Sequence, residues 1–170
     1  AVVFWSGTGN TEAMADAVAQ GARGAGASVD VLGPSDFNAT KVTAYDGIAE
    51  LLDFIREKGI KQGIVSSKRR PQYGIDMGRH GYDKRMDAAV LFEDTPVHKP
   101  DPEPMFECLR RLGVEAQDAL YLGDARSDMV AARAAGMDFA YASWGSFFPM
   151  ERDEPDYYLD HPTDLIPFLG

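Results

Sequence analysis

The sequence predicts an α/β protein: a doubly wound, three-layer sandwich with a mostly parallel sheet of about five or six strands. Short apolar runs alternate with amphipathic stretches almost to the end of the chain. Glycines also follow three of the helical stretches, where a left-handed C-cap is wanted: Gly59, Gly113 and Gly136. At 170 residues the chain suits one well-packed domain, so residues 1–170 are expected to form a single α/β domain.

The apolar runs are assigned to strands in chain order: 2–5, 29–32, 62–66, 88–92, 119–122 and 139–142. The amphipathic stretches are assigned to helices: 11–25, 47–58, 72–84, 103–112, 128–135 and a short last one near 163–168. Because three glycines lie within 72–84, a partly irregular connection is the alternative for that helix.

Composition narrows the class of protein. With 45% apolar and 26% charged residues, the chain is expected to be soluble and globular. A net charge of −10 argues against nucleic-acid binding, and no apolar run approaches the ~18 residues of a membrane helix. Cys108 is the only cysteine, which excludes disulfides within the chain and favours a reducing, cytoplasmic location. We expect a monomer with no membrane partner and, since the chain starts in a strand without Met, a trimmed or engineered N-terminus.

The charges are unevenly distributed. Residues 56–85 hold nine Lys or Arg against three acids, whereas residues 151–164 hold six acids and one Arg. Both runs can be ordinary solvated surface. The basic run can instead form a rim beside an anion site, and both interpretations stay open from sequence alone.

The turn after the first strand has the composition of a phosphate cradle. Its side chains supply hydroxyl and amide donors, and its glycines let backbone N–H groups approach an anion; the residues are Ser6, Gly7, Thr8, Gly9, Asn10 and Thr11. The helix that begins near Asn10 adds its dipole, so a phosphate can be held here without Lys or Arg. The alternative is a turn that binds no ligand.

The string Ser-Gly-Thr-Gly-Asn-Thr-Glu resembles the phosphate-binding loop of flavodoxins, and the resemblance covers about residues 1–40. It implies that FMN is the cofactor and that the residues from Ser6 to Thr11 surround its terminal phosphate. Flavodoxins also use two later loops to sandwich the flavin ring, and neither has a recognisable match here. Weak flavin affinity is therefore expected, because the stacking area is missing.

About residues 41–170 resemble the haloacid dehalogenase superfamily, in its phosphoglycolate-phosphatase-like branch. The resemblance rests on three stretches, namely Gly-Ile-Val-Ser-Ser-Lys at 63–68, His-Lys-Pro-Asp-Pro at 98–102 and Leu-Gly-Asp-Ala-Arg-Ser-Asp-Met at 122–129. It implies that Ser66 hydrogen-bonds the transferring phosphoryl group and that Lys99 balances its charge. It also implies that Asp124 and Asp128 hold magnesium, one directly and one through water.

Each of these residues also has a structural interpretation. Ser66 can simply end a strand, Lys99 can be a surface amine, and the two aspartates can cap the next helix. Ligands in open α/β sheets collect at the carboxyl ends of strands, which is where Ser66, Lys99 and Asp124 are expected to converge.

The first strand departs from the phosphatase pattern. Enzymes of the superfamily carry an Asp-x-Asp motif there, whereas this chain has Trp5, Ser6 and Gly7. No aspartyl-phosphate can then form, and no histidine adjoins Ser6 in sequence to activate it as a substitute nucleophile. On balance, the sequence therefore favours a protein without enzymatic activity.

The leading hypothesis is an engineered hybrid of the two families, flavodoxin-like and then dehalogenase-like. It would bind FMN or another phosphate-containing small molecule through the Ser6 to Thr11 loop, with Ser66 and Lys99 as further contacts, and have no phosphatase turnover. The alternatives are a magnesium-dependent phosphatase acting on small phosphomonoesters, and a scaffold of joined fold fragments with no ligand. The strand at 29–32 can lie beside the first strand, which would move Ser66 away from the cradle, or follow the flavodoxin order.

Overall fold

The structure is a computed structural model, and it describes residues 2–3, 10–29, 31–32, 44–146 and 149–169. The chain divides into two compact units, Ala1–Thr43 and Ala44–Gly170, and each is described by itself. The single domain expected from the chain length stays a prediction.

The first unit is a strand, a helix and a second strand. Strand β1 covers Val2–Val3, helix α1 covers Asn10–Gly24 and strand β2 covers Val31–Leu32. The two strands pair in parallel, with Val2 opposite Val31. Parallel neighbours are usually connected by a helix, because a tight turn would make the second strand run in the opposite direction. Residues 6–9 of the predicted cradle lie outside the described residues, as do the side chains of Asn10 and Thr11.

The second unit alternates helices and strands. Its helices are α2 Ile48–Glu57, α3 Arg70–Arg79, α4 Glu103–Leu112 and α5 Arg126–Ala134. Its strands are β3 Gly63–Val65, β4 Ala88–Val90, β5 Leu120–Gly123, β6 Asp138–Ala142 and β7 Tyr157–Leu159. Short 3₁₀ turns fill several connections: Asp83–Arg85, Phe92–Asp94, Ala116–Asp118, Ser143–Gly145 and Pro162–Phe168.

Local chemistry explains where these helices begin and end. In α4 the apolar residues Met105, Cys108 and Leu109 recur at helical spacing and are buried, while Glu107 and Arg110 pair outside. Left-handed glycines follow three helices as predicted, with φ of 70° at Gly59, 64° at Gly113 and 80° at Gly136.

The strands pair in parallel throughout the described residues, which confirms the predicted α/β class. Their hydrogen-bonded pairing forms three sets, β1 with β2, β3 with β4, and β5 with β6 and β7, where one sheet of five or six strands was expected. Side chains connect two of these sets within the second unit: the Tyr121 hydroxyl on β5 donates to the Val65 carbonyl of β3 at 3.1 Å. Tyr121 therefore links β5 to the end of β3, and the Val65 carbonyl has a hydrogen-bond partner there.

Two elements differ from the prediction. Strand β7 was missed because its surroundings, residues 151–164, are strongly acidic; it nevertheless pairs in parallel with β6 and buries Leu159 to 2% exposure. Helix α3 ends at Arg79 instead of residue 84, and Gly81 follows it with φ of 66° before the Asp83–Arg85 turn. A left-handed residue interrupts a right-handed helix.

The core of the second unit lies between the strands and helices α2, α4 and α5. Its largest fully buried side chains include Tyr141, Phe139, Leu51, Leu91 and Met105. Among the described residues, no helix has the length and apolar character needed to cross a membrane. The core therefore fixes the carboxyl ends of β3 and β5, where the candidate site lies.

Candidate active site

The four dehalogenase-type residues of the second unit lie near the carboxyl ends of β3 and β5. Ser66 directly follows β3, Asp124 directly follows β5, and Asp128 lies in the first turn of α5. Lys99 lies in the connection from β4 to α4 and reaches the end of β3, where its Nζ is 3.4 Å from the Val65 carbonyl oxygen. The expected convergence at one edge is therefore seen for these residues.

Lys99 is the centre of the site. Its Nζ lies 2.7 Å from Asp128 Oδ1 and donates to the Tyr121 hydroxyl at 3.0 Å. Burial disfavours the charge, but Tyr121 and Asp128 outweigh it and hold the pKa of Lys99 above its ordinary value. The site therefore favours a charged ammonium whose side chain is only 13% exposed.

Tyr121 is a member of the site that the sequence analysis did not identify. Its hydroxyl accepts from Lys99 and donates to the Val65 carbonyl, so it links β5 to the end of β3. Burial is the main reason that its pKa rises to about 12, so the group stays a neutral phenol. The available signal was its position: in a strand, Tyr121 and Gly123 lie on one face, next to the Asp124 motif.

Asp128 is buried and fully engaged. Beyond its pair with Lys99, its Oδ2 accepts the backbone N–H groups of Asp124 at 3.3 Å and Ala125 at 3.2 Å. This is the helix-capping role that the sequence left open, combined with a charge pair. Gly123 makes room for it, because a Cβ on Gly123 would lie 2.7 Å from Asp128 Oδ2.

Asp124 is the carboxylate best placed for a cation. Partial burial and the neighbouring Asp128 charge raise its pKa above the ordinary value. It packs against Gly145 so closely that a Cβ there would lie 2.8 Å from Asp124 Oδ2. The described residues form no cluster of three or more His, Cys, Asp or Glu able to hold a metal ion. Magnesium is commonly held by one or two carboxylates together with water and substrate phosphate, and Asp124 with nearby Asp128 fits that donor set.

Ser66 lies beside a small cavity shared with Lys99. The Ser66 N–H donates to the Val90 carbonyl at 2.9 Å, and its Oγ accepts the Lys68 N–H at 3.2 Å. Its hydroxyl hydrogen is then available to an anion. Ser67, Thr95 and His98 also line the cavity, whose volume of about 10 Å³ admits roughly one water molecule. A cavity of this size cannot hold a whole phosphate ester.

Aromatic and basic groups stand at the edge of this cavity. The His98 ring stacks on Phe92 with 4.1 Å between centroids, and the Arg69 guanidinium lies 4.5 Å from the same ring. Arg69 is 3.8 Å from Glu93, while Arg70 pairs with Asp94 at 2.6 Å. Two arginines of the basic run therefore lie close to acids that partly neutralise them, and the basic rim beside an anion site stays a prediction.

Comparison with known proteins defines the family. The model for haloacid dehalogenase-like hydrolases matches residues 34–142, so the chain belongs to that family. The flavodoxin model matches residues 2–52. The matches support both resemblances, but they cross the expected boundary near residue 40 and overlap each other over residues 34–52, and they do not establish that the chain is a hybrid.

Individual relatives sharpen the class. Pyrophosphatase PpaX of Bacillus cereus is 32% identical over 138 residues, covering 79% of this chain and 63% of that protein. Pyrophosphatase PpaX of Bacillus velezensis is 33% identical over 131 residues, covering 76% and 61%. The crystal structure of a HAD phosphatase from Thermococcus onnurineus matches with a TM-score of 0.69 and 26% identity, covering 75% and 59%. The chain thus spans less than two thirds of the length of these relatives.

These findings correct the leading hypothesis. An engineered FMN-binding or phosphate-binding protein without phosphatase turnover is contradicted, since the relatives carry the names of phosphatases. FMN has no support beyond the flavodoxin match. The error came from giving more weight to six residues of the first turn than to three motifs spread over the rest of the chain.

Proposed function

We propose that this chain is a magnesium-dependent phosphatase of the haloacid dehalogenase type that acts on small phosphomonoesters or on pyrophosphate. The observation that carries the proposal is the buried Lys99–Asp128 pair, at 2.7 Å, beside the cavity that Ser66 lines. Burial of a charged lysine costs free energy, so its place among strand ends is better explained by anion binding than by a surface position. The names of the two bacillary relatives support pyrophosphate as a substrate.

The residues divide the work by their chemistry. Ser66 donates its hydroxyl hydrogen to a phosphoryl oxygen, and Lys99 offsets the negative charge that the phosphoryl group brings. Asp124 would hold the magnesium ion, and the neighbouring Asp128 would be the second carboxylate near it. The ion, when bound, would polarise the phosphoryl oxygens as a Lewis acid. Tyr121 holds Lys99 in place and does not titrate at neutral pH, because its pKa is about 12.

The group that attacks phosphorus is not assigned. Trp5, Ser6 and Gly7 stand where the family has its two aspartates, and residues 4–9 lie outside the described part of the structure. The proposal therefore covers the binding and charge-neutralising half of the reaction. Its test must measure turnover itself.

The test compares two site variants with matched controls. Phosphate release from p-nitrophenyl phosphate and from pyrophosphate is measured with magnesium for Ser66→Ala and Lys99→Ala. The controls are Ser28→Ala and Lys58→Ala, which remove the same groups at exposed positions. Removal of one preorganised donor typically lowers kcat by about 10²–10³-fold, and that loss is expected in the site variants alone.

Folding is checked because Lys99 is buried, and Ser66→Ala keeps the test decisive if Lys99→Ala unfolds. Turnover that survives in Ser66→Ala, or that falls equally in Ser28→Ala, would overturn these assignments. No phosphate release by the unmodified chain with magnesium would overturn the function.

A further inference from the structure

A second cavity lies at the amino end of β3, opposite the end that carries Ser66. Its volume is about 190 Å³, far larger than the cavity beside Lys99. The polar residues that line it are Arg56, Lys61, Gln62, Lys84, Arg85 and Asp87. We call it the basic cavity, because four of these six residues are cations. It holds most of the basic run from residue 56 to 85 that the candidate active site leaves unused.

Among the described residues, two of the four cations have neither an ion pair nor a side-chain hydrogen bond. Arg85 is held by Asp53 at 3.1 Å, and Lys61 donates to the Leu112 carbonyl. No such partner is seen for Arg56 or Lys84 in the part of the chain that the structure describes. The net positive lining therefore retains two charges free to meet an anion.

Asp87 is the one carboxylate in the lining, and it is already engaged. Its Oδ2 accepts the Gln62 backbone N–H at 2.7 Å. That bond fixes the entrance to β3 and uses part of the carboxylate's accepting capacity. The charged side chains that line the cavity consequently offer more hydrogen-bond donors than acceptors.

Gln62 supplies an independent observation. It is 6% exposed, its Nε2 donates to the Leu52 carbonyl at 3.2 Å, and its Oε1 is buried without a partner. Exchanging the amide O and N would place two acceptors against each other at Leu52, so the assignment is chemically fixed. A buried acceptor left unpaired is unfavourable, and a ligand donor would remove that penalty.

We propose that the basic cavity binds a small organic phosphate that carries a hydroxyl group. The phosphate would meet Arg56 and Lys84, and the hydroxyl would donate to Gln62 Oε1 after the buried amide turns toward the cavity. The volume is below the usual 300–1,000 Å³ of drug-sized sites, which limits the ligand to a few non-hydrogen atoms beyond the phosphate. This site lies at the other end of β3 from the proposed catalytic residues, so its function does not depend on theirs.

The probe is glycerol 3-phosphate, added with EDTA in place of magnesium so that the proposed phosphatase activity does not consume it, and followed by NMR of backbone amides in the full chain. Saturable shifts are expected at Gly59, Lys61 and Asp87, separately from any shifts around Ser66. The Arg56→Gln, Lys84→Gln double variant should weaken binding by about tenfold or more, since each change removes a charge partner. Lys58→Gln is the matched control, because Lys58 is exposed, adjoins Arg56 in sequence and does not line the cavity.

Methyl phosphate tests the hydroxyl, since it keeps the phosphate and lacks the donor; it should bind several-fold more weakly. Equal affinity of the two probes would show that water satisfies Gln62 and would overturn the hydroxyl assignment. Unchanged affinity in the double variant, or no saturation near the basic cavity by about 50 mM, would overturn the site. If Arg56 only stabilises the end of α2, the double variant should be less stable but bind glycerol 3-phosphate with unchanged affinity. That result would also overturn the site.

Discussion

At the scale of single residues, the candidate site depends on how Lys99 is kept charged inside the protein. The ammonium is 13% exposed and the Asp128 carboxylate 7% exposed. Taking either charge out of water alone is costly, and their mutual attraction with added hydrogen bonds offsets that cost. Tyr121 and the Asp124 and Ala125 N–H groups provide those bonds. The pair is therefore a unit, and loss of one member leaves the other unpaired.

Lys99→Met is expected to destabilise the chain by about 3–5 kcal/mol, because it leaves Asp128 buried without its counter-charge. Asp128→Asn in the Lys99→Met background should recover part of this loss, since it removes the uncompensated charge. Urea unfolding of Lys99→Met alone, Asp128→Asn alone and the double variant gives the coupling free energy between the two side chains. The exposed control Lys58→Met should stay within about 0.5 kcal/mol of the unmodified chain. A Lys99→Met loss as small as this would contradict a buried pair.

At the scale of elements, the sequence predicted most helices and strands because their apolar spacing is regular and three glycines end helices. Strand β7 could not be predicted in this way. Its Leu159 is buried against neighbours distant in sequence, while the acids around it pair with arginines, as Glu154 does with Arg126 at 2.8 Å. Composition alone cannot distinguish paired acids from solvated ones. Composition also could not predict that the basic run from residue 56 to 85 is divided between the two ends of β3, because it does not record which residues are neighbours in space.

Helix α3 offers a prediction about glycine. Gly74 lies inside the helix, and a Cβ there would meet nothing within 4 Å. Gly74→Ala should therefore stabilise the chain by about 0.5–1 kcal/mol through lower backbone entropy in the unfolded state.

Gly81 provides the matched control, because its Cβ would also meet nothing but its φ is 66°. Gly81→Ala should destabilise by about 1–2 kcal/mol, since alanine strains in the left-handed region. Thermal unfolding of both variants measures the contrast. Shifts of the same sign in the two variants would show that space, and not backbone conformation, decides the outcome.

At the scale of the whole molecule, sequence motifs predicted a set of site residues that the structure brings close together, while the predicted function is contradicted by the comparisons. Ser66, Lys99, Asp124 and Asp128 were all identified, because each belongs to a short motif at a strand end. Tyr121 and the engagement of both Asp128 oxygens were not, since they depend on contacts between β3 and β5 that no local pattern records. The prediction of binding without turnover rested on the Ser6 to Thr11 loop and on the missing Asp-x-Asp motif, and the phosphatase names of the relatives contradict it.

The most direct test of the phosphatase assignment is magnesium-dependent phosphate release by the unmodified chain and by Asp124→Asn. Pyrophosphate and p-nitrophenyl phosphate are supplied at saturating magnesium and again with excess EDTA. The account predicts release that requires magnesium and falls by orders of magnitude in Asp124→Asn, which keeps the side-chain shape and removes the charge. Absence of release with magnesium present, or equal release by both proteins, would contradict it.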